Sequence, residues 1–468
     1  MRTALILLLA LGLASIPGSL FPQRNQNPMK VQDFFKANPT LAHWLDKAKI
    51  FDLYSSPWFS AIYILLFISL IGCVLPRSFE HAKAIGKKPP LTPRFLDRME
   101  GFAELDRPIE GALDDAQKWL KKNRFRIRRE ESSISAEKGY SRETGNLLFH
   151  LSLIVILFAV ATGGLYGSKG EAILNVGDRF INTPTSYDNI SFSKFQREGD
   201  MAPFSLRILD FKASYDVKTN APTDYTLQVA AADPIGSKEE VKIIKVNSPL
   251  TYGSTKVYLQ ANGYSPVVAV RDKTGKLIFE GPVTFLPQDG NLTSIGAIKL
   301  PDMTPQIGMV ASFLPTADRS ATRGAFSAFP EVLDPRLLVS VWMGDLGLDN
   351  GTPQSVYRVD TSKMQRIGLK ALGLGDVYNF GQGTLTFEGY RSWVNLQIVD
   401  DPGKMYALVG AILAILGLLT SLFTRQRRIW IKIDSRVQIA GLAKNGVPGL
   451  DEELSALQAA LMSKSEEA

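Results

Sequence analysis

The chain has 468 residues, a formal net charge of +7 and one cysteine, Cys73, so no disulfide forms within it and no CxxC or CxxCH pair exists. Hydrophobic residues make up 45% and mean hydropathy is only +0.01, which excludes a chain that lies mostly in a membrane. The excess Lys and Arg sit in residues 77–145 and just after the last apolar block, without any nucleic-acid module, so the basic charge points to membrane orientation and not to nucleic acid.

Four apolar blocks organise the chain. Residues 3–21 (TALILLLALGLASIPGSLF) are long enough to cross a bilayer and follow Arg2. A cleaved signal peptide is the rival reading, but no clean A-x-A site follows. We assign 1–22 as a retained first transmembrane helix and 23–58 as an external loop. Within that loop residues 29–52 read as two short helices parted by Pro39. Phe34, Phe35, Leu41, Trp44 and Leu45 suit either a membrane surface or an ordinary packed loop.

The second span is 59–76, with Trp58 at its front edge and Pro76-Arg77 closing it. Residues 77–145 open with a Pro-rich linker (KKPPLTPR). A helix over 109–122 follows, with Ala112, Ala116, Trp119 and Leu120 on one side, and then two alternating strands. This predicts a small α+β loop. The third span is 146–167.

Residues 168–404 are strand-rich. SLRILDFKASYD, YTLQVAA, KVYLQANGY, PVVAVRD, KLIFEG, RLLVSVWMG and TLTFEGYRSWVNLQIV are divided by Gly, Pro, Asn and Asp. A sandwich or barrel-like β domain is expected, with long loops or a helix over 285–335 and plain turns in LGLGDVYNFGQG. The fourth span is 405–424, and 425–468 is a tail beginning with Arg425, Arg427 and Arg428. The positive-inside rule places 77–145 and 425–468 in the cytoplasm and 168–404 outside, with both termini cytoplasmic. The fold class is thus a multi-pass plasma-membrane protein: four transmembrane helices, a large β-rich extracytoplasmic domain and a small α+β cytoplasmic loop.

No P-loop, HExxH or GxSxG motif is present, and no acid–base pair stands out. Two residues are candidates for a site. His150 lies inside the third span, where an ionisable residue points to function, and neutral imidazole is a common haem ligand. Near the start of the span it is also able to hydrogen-bond at the interface as a packing residue. Cys73, in the second span, falls at similar depth near the inner surface. The sharper reading has thiol and imidazole facing one ligand; the plainer one makes Cys73 an apolar packing residue. His43 and His81 read as solvated surface histidines.

FDLYSSPWFSAIYILLFISLIGCVLPRS, GNLLFHLSLIVILF and DPGKMYALVGAILAILGLLTSLFTRQRRIW together resemble the spans of the ResB (CcsB) family of cytochrome c biogenesis proteins. LALGLASIPGSLFPQ and VNSPLTYGSTKVYLQANGY fit the same family. The resemblance implies a System II role beside a CcsA (ResC)-type membrane partner. Together the two carry haem from the cytoplasmic side to the outer face and promote its attachment to CxxCH motifs of apocytochrome c. It implies haem as the transported or transiently bound cofactor and His150 as a candidate axial ligand of its iron, while Cys73, by its depth alone, is the second candidate cofactor-binding residue. A separate protein would supply thiol reduction, since this chain has no CxxC. With no visible acid, base or nucleophile, the chain is not an enzyme alone but a subunit of a haem-attachment complex. An exposed strand edge of the outer domain suits an extended apocytochrome segment. The alternatives are a membrane-anchored receptor or sensor with a β ectodomain, whose inner loop lacks any signalling signature, and a transporter, for which four spans without an inverted repeat are few.

Overall fold

The four apolar blocks form four helices long and apolar enough to span a membrane. The computed structural model describes all residues except 1, 25, 27, 100, 323, 349–354, 444–448 and 464–468. The chain divides into two compact units, residues 1–161 with 403–468, and residues 162–402.

In the first unit, helix α1 spans Arg2–Leu20. Helices α2 (Pro28–Ala37) and α3 (Pro39–Lys47) follow on either side of Asn38. Phe34, Phe35 and Leu45 pack on Phe51 in a small core, while Leu41 and Trp44 stay exposed. The loop is therefore packed, with two apolar side chains left outside. Helix α4 is Pro57–Ile85. The Ser56 side chain accepts a hydrogen bond from the Phe59 amide, and Pro57 opens the helix where a missing N–H costs nothing. The expected stop at Pro76-Arg77 is wrong. Pro76 lies inside the helix, and its lost hydrogen bond would have gone to the carbonyl of Gly72. Polar contacts to a neighbouring helix, described below, hold the turns beyond it.

Helix α5 (Ala112–Lys122) buries Ala112, Ala116 and Leu120, as its periodicity requires, with Trp119 half-buried. Helix α6 (Ser141–Tyr166) starts one turn earlier than expected. Helices α7 (Lys404–Phe423) and α8 (Leu450–Ser463) complete the set.

Residues 425–468 are not a simple tail. Strands Arg427–Ile433 and Val437–Ala443 enter one antiparallel sheet with Ala103–Leu105, Ser133–Lys138 and Arg126–Arg129. The two strands from beyond the last span fill the middle of this sheet. Arg427 pairs with Lys138 on one side and Ala443 on the other. Helices α5 and α8 cover one face, where Leu120, Leu454, Leu457 and Leu461 meet Ile134, Ile429, Ile431 and Ile439. Leu96, Met99 and Phe102 cover Trp430 on the other. The α+β loop and the tail are thus one folded body.

Helices α6 and α7 meet along small residues. Gly145, Ser152 and Ala159 are buried on α6, Gly410 and Gly417 on α7, each set at seven-residue spacing. A Cβ on Gly145 would stand 2.7 Å from the Gly417 carbonyl oxygen, and one on Gly410 2.7 Å from Ile156 Cγ1. Side chains at those places would force the helices apart. The strand before α6 and the strand after α7 are themselves paired, so strand pair and helix pair are continuous. At the join Gly139 has φ of 81° and sits against the Arg425 carbonyl, where a Cβ has no room.

The second unit is β-rich, and its spine is a long antiparallel pair, Thr255–Asp272 with Gly383–Asp400. KVYLQANGY and PVVAVRD, expected as two strands, are one. Pro266 is carried in register opposite Tyr390, and the register shifts between Val267 and Val268. Each half of the spine serves a separate core. Val257, Val394 and Leu396 pack with Phe180, Phe204 and Leu206. Val268, Leu385 and Phe387 pack with Phe285, Phe313 and Val339. Between them Trp393 donates its indole N–H to the carbonyls of Tyr264 (3.2 Å) and Phe285 (3.0 Å), over Gly263. The stretch 285–335 contains short strands and, among the described residues, no helix. LGLGDVYNFGQG forms turns around the short strand Val377–Asn379, as expected.

Removing everything after Thr424 should unfold the sheet by deleting its two central strands. Trypsin is then expected to cut rapidly between Lys118 and Arg129, a region protected in the full-length protein. Equal cleavage rates would mean that residues 103–138 fold without the tail.

Candidate functional site

Two contacts set how α4 runs against α6. Tyr63 donates to the Leu157 carbonyl at 3.4 Å, and Arg77 Nη2 lies 3.2 Å from Glu143 Oε1. The helices are antiparallel, and Glu143, His150 and Leu157 recur every seven residues, about two turns, on one stripe of α6. His150 therefore stands on the stripe that meets α4, midway between those contacts and level with Leu70.

The His150 ring is half-buried and packs edge-on against Phe149 at 5.2 Å. Nδ1 lies 2.7 Å from the Asn146 carbonyl oxygen. A carbonyl only accepts, so Nδ1 carries a proton, and in the neutral ring Nε2 keeps its lone pair. A ring held this way by its own helix presents Nε2 as a ligand atom, the usual arrangement of a metal-binding imidazole.

Cys73 is exposed, and the cleft it lines does not include His150. It lines a separate open cleft of about 470 Å³ with Pro76, Arg77, Glu80, His81, Ala84, Tyr140 and Glu143. By the same register Cys73 lies about one turn from the level of His150, toward the charged end of α4. The thiol thus lies within about one turn of the imidazole in depth, on an exposed face of α4.

His81 is the larger surprise. Expected on a solvated surface, it is only 7% exposed. Its Nε2 lies 2.9 Å from Thr144 Oγ1, its ring stacks on Tyr140 at 5.1 Å, and Nδ1 is 3.9 Å from Glu143. The Arg126 guanidinium also lies over the Tyr140 ring, at 5.1 Å, and donates to the carbonyls of Ile85 (2.9 Å) and Lys87 at the end of α4. Burial, and then the charges of Glu143 and Glu137, push the Tyr140 phenol up from its ordinary range. The reason for the misreading is the helix boundary. Cys73, Arg77 and His81 recur every four residues along one face, a signal legible only once the helix continues through Pro76. His43 is exposed, as expected, against Trp44. No group of three or more metal-ligating side chains occurs among the described residues.

The ResB-like family model matches residues 1–455. The chain belongs to the ResB-like family. It is similar to proteins named cytochrome c biogenesis protein CcsB from cyanobacteria. Identity is 25% to that of Synechococcus sp. (strain RCC307), over 98% of this chain and 94% of the relative. It is 26% to that of Synechococcus sp. (strain WH7803), over 98% and 95%. For Gloeobacter violaceus it is 24%, over 98% and 89%.

Because Cys73 is exposed and is the chain's single thiol, a small maleimide should label the detergent-solubilised protein at close to one equivalent. Cys73→Ser should abolish the labelling. A wild-type protein that resists the reagent until unfolded would instead place the thiol inside a helix contact.

Proposed function

We propose that this protein is a membrane subunit of a cytochrome c biogenesis machine that holds haem in transit through His150. With a CcsA (ResC)-type partner it would pass haem outward for covalent attachment to apocytochrome c. Membership of the ResB-like family supports the biogenesis role. The observation that carries the haem reading is the orientation of His150. Its Nδ1–H is spent on the Asn146 carbonyl, so in the neutral ring Nε2 is the ligand atom, on the α4-facing stripe of a membrane-length helix. Haem is cargo here, and bound haem iron supplies the ligand-accepting centre. One imidazole fits one axial position, leaving the other to the partner.

In this reading the sheet-forming body of residues 103–138 and 427–463 lies in the cytoplasm, where the positive-inside rule puts it. The β-rich unit lies outside and receives apocytochrome c. Its four-stranded sheet ends on strand Glu240–Lys245, with Val241 (66%) and Ile243 (52%) exposed, which suits an extended peptide at the edge. Thiol reduction of the apocytochrome falls to another protein, since Cys73 is alone.

The absorbance spectrum of the protein purified with its partner tests the haem step. His150→Ala should lower or shift the Soret band while the two proteins still co-purify. An unchanged band would return His150 to a packing role. For the outer unit, Val241→Lys with Ile243→Lys should weaken apocytochrome binding about tenfold, since two exposed apolar contacts are lost without touching the core. Unchanged binding would remove this edge from consideration.

A further inference from the structure

We propose that the loop of residues 193–197 is a lipid anchor. It seats Phe195 in the bilayer interface at the end of α6 and sets Lys194 and Arg197 against headgroup phosphates. His150 and haem play no part in it.

The depth of the loop follows from α6. Residues 147–166 contain no Asp, Glu, Lys or Arg. At about 1.5 Å each they cover about 30 Å, the thickness of the hydrocarbon core, so Tyr166 falls at its edge. The last four carbonyls of a helix have no partner within it, and an unmet carbonyl is costly in hydrocarbon. The loop meets one of them and the next carbonyl beyond. Phe195 donates its amide to the Leu165 carbonyl and Ser193 donates its amide to the Gly167 carbonyl, each at 2.9 Å. These bonds continue the pairing of strand Ser168–Asn175 with strand Asn189–Phe192, in which Ser168 stands opposite Phe192. The loop is thus held level with the last turn of α6. The rings of Phe195 and Tyr166 lie 5.4 Å apart, so what surrounds one surrounds the other.

The exposed groups are those of an interfacial anchor. Phe195 (50%) and Tyr166 (49%) both face outward. Lys194 Nζ lies over the Phe195 ring, 5.7 Å from its centroid. Residues 193–197 include Lys194 and Arg197 and no acid; acidic residues begin at Glu198. Aromatic rings at the edge of the hydrocarbon, with long basic side chains reaching outward to phosphate, suit a bilayer interface. A lone exposed phenylalanine elsewhere on the surface would need no explanation. Here backbone bonds fix it at the depth of the interface. The anchor holds the start of the β-rich unit at the membrane surface.

The test uses the full-length protein, with Cys73→Ser, in nanodiscs of phosphatidylethanolamine and phosphatidylglycerol. A nitroxide is attached in turn at Phe195→Cys, Tyr166→Cys and Val217→Cys, the last an exposed site of the same unit. Relaxation by O2, which collects in the bilayer, is compared with relaxation by a water-soluble nickel chelate. Labels at 166 and 195 should favour O2, and the label at 217 should favour nickel. Lys194→Glu with Arg197→Glu should shift the label at 195 toward nickel. An unshifted label there overturns the part given to the two cations. Nickel preference at 195 beside O2 preference at 166 overturns the anchor while leaving the span in place. Nickel preference at both sites puts the end of α6 in water and overturns it as well. A label at 195 shielded from both reagents, with or without the CcsA-type partner, gives the loop to a protein contact and overturns the lipid assignment.

Discussion

The glycine-lined contact between α6 and α7 is the constraint on which the rest of the first unit depends. In a bilayer there is no hydrophobic force to press helices together, so close packing and satisfied backbone must do it. Gly145 against Gly417 and Gly410 against Ile156 allow that approach. The approach then continues past the helices, because the strands that lead into α6 and out of α7 pair with each other. Gly139 on the Arg425 carbonyl is the hinge point where helix spacing becomes strand spacing. A bulky residue at any of these three places would disturb both the span pair and the sheet.

Fixing α6 against α7 on one face leaves another stripe for α4, and that stripe carries Glu143, His150 and Leu157. His150 thus sits on a helix that is held from two sides. The ring is oriented by its own backbone, through Asn146, and needs no neighbouring side chain to set its tautomer. The ring's orientation is thus set at no further cost, in a setting where every extra buried polar group is costly. The polar neighbours gather instead around His81, about one turn beyond Arg77, where α4 has left its apolar run.

Much of this was legible in the sequence. The four spans, the apolar side of α5 and the strand character of the second unit all follow from hydrophobic period and turn residues. His150 stood out as the ionisable residue of its span. What stayed hidden depends on contacts between distant segments. Nothing local says that residues 427–443 fill the centre of a sheet begun at residue 103, because a strand's own pattern does not name its partner. Pro76 looked like a stop because its cost is local, whereas the contacts that outweigh it come from Tyr140, Glu143 and Thr144, more than sixty residues later. Pro266 misled in the same way, splitting a strand whose long partner at 383–400 carries it through.

The two errors over proline share one physical cause, and it bears on the site. A proline removes one hydrogen bond from its element and crowds the carbonyl four residues before it, a cost of about 3 kcal/mol or more in a helix interior. An element that is paired along its whole length tolerates that loss. Continuing α4 beyond Pro76 places Cys73, Arg77 and His81 on a single face, in reach of α6, where a break would have scattered them into a solvated linker. The chemistry of this cleft therefore exists because the helix survives its proline.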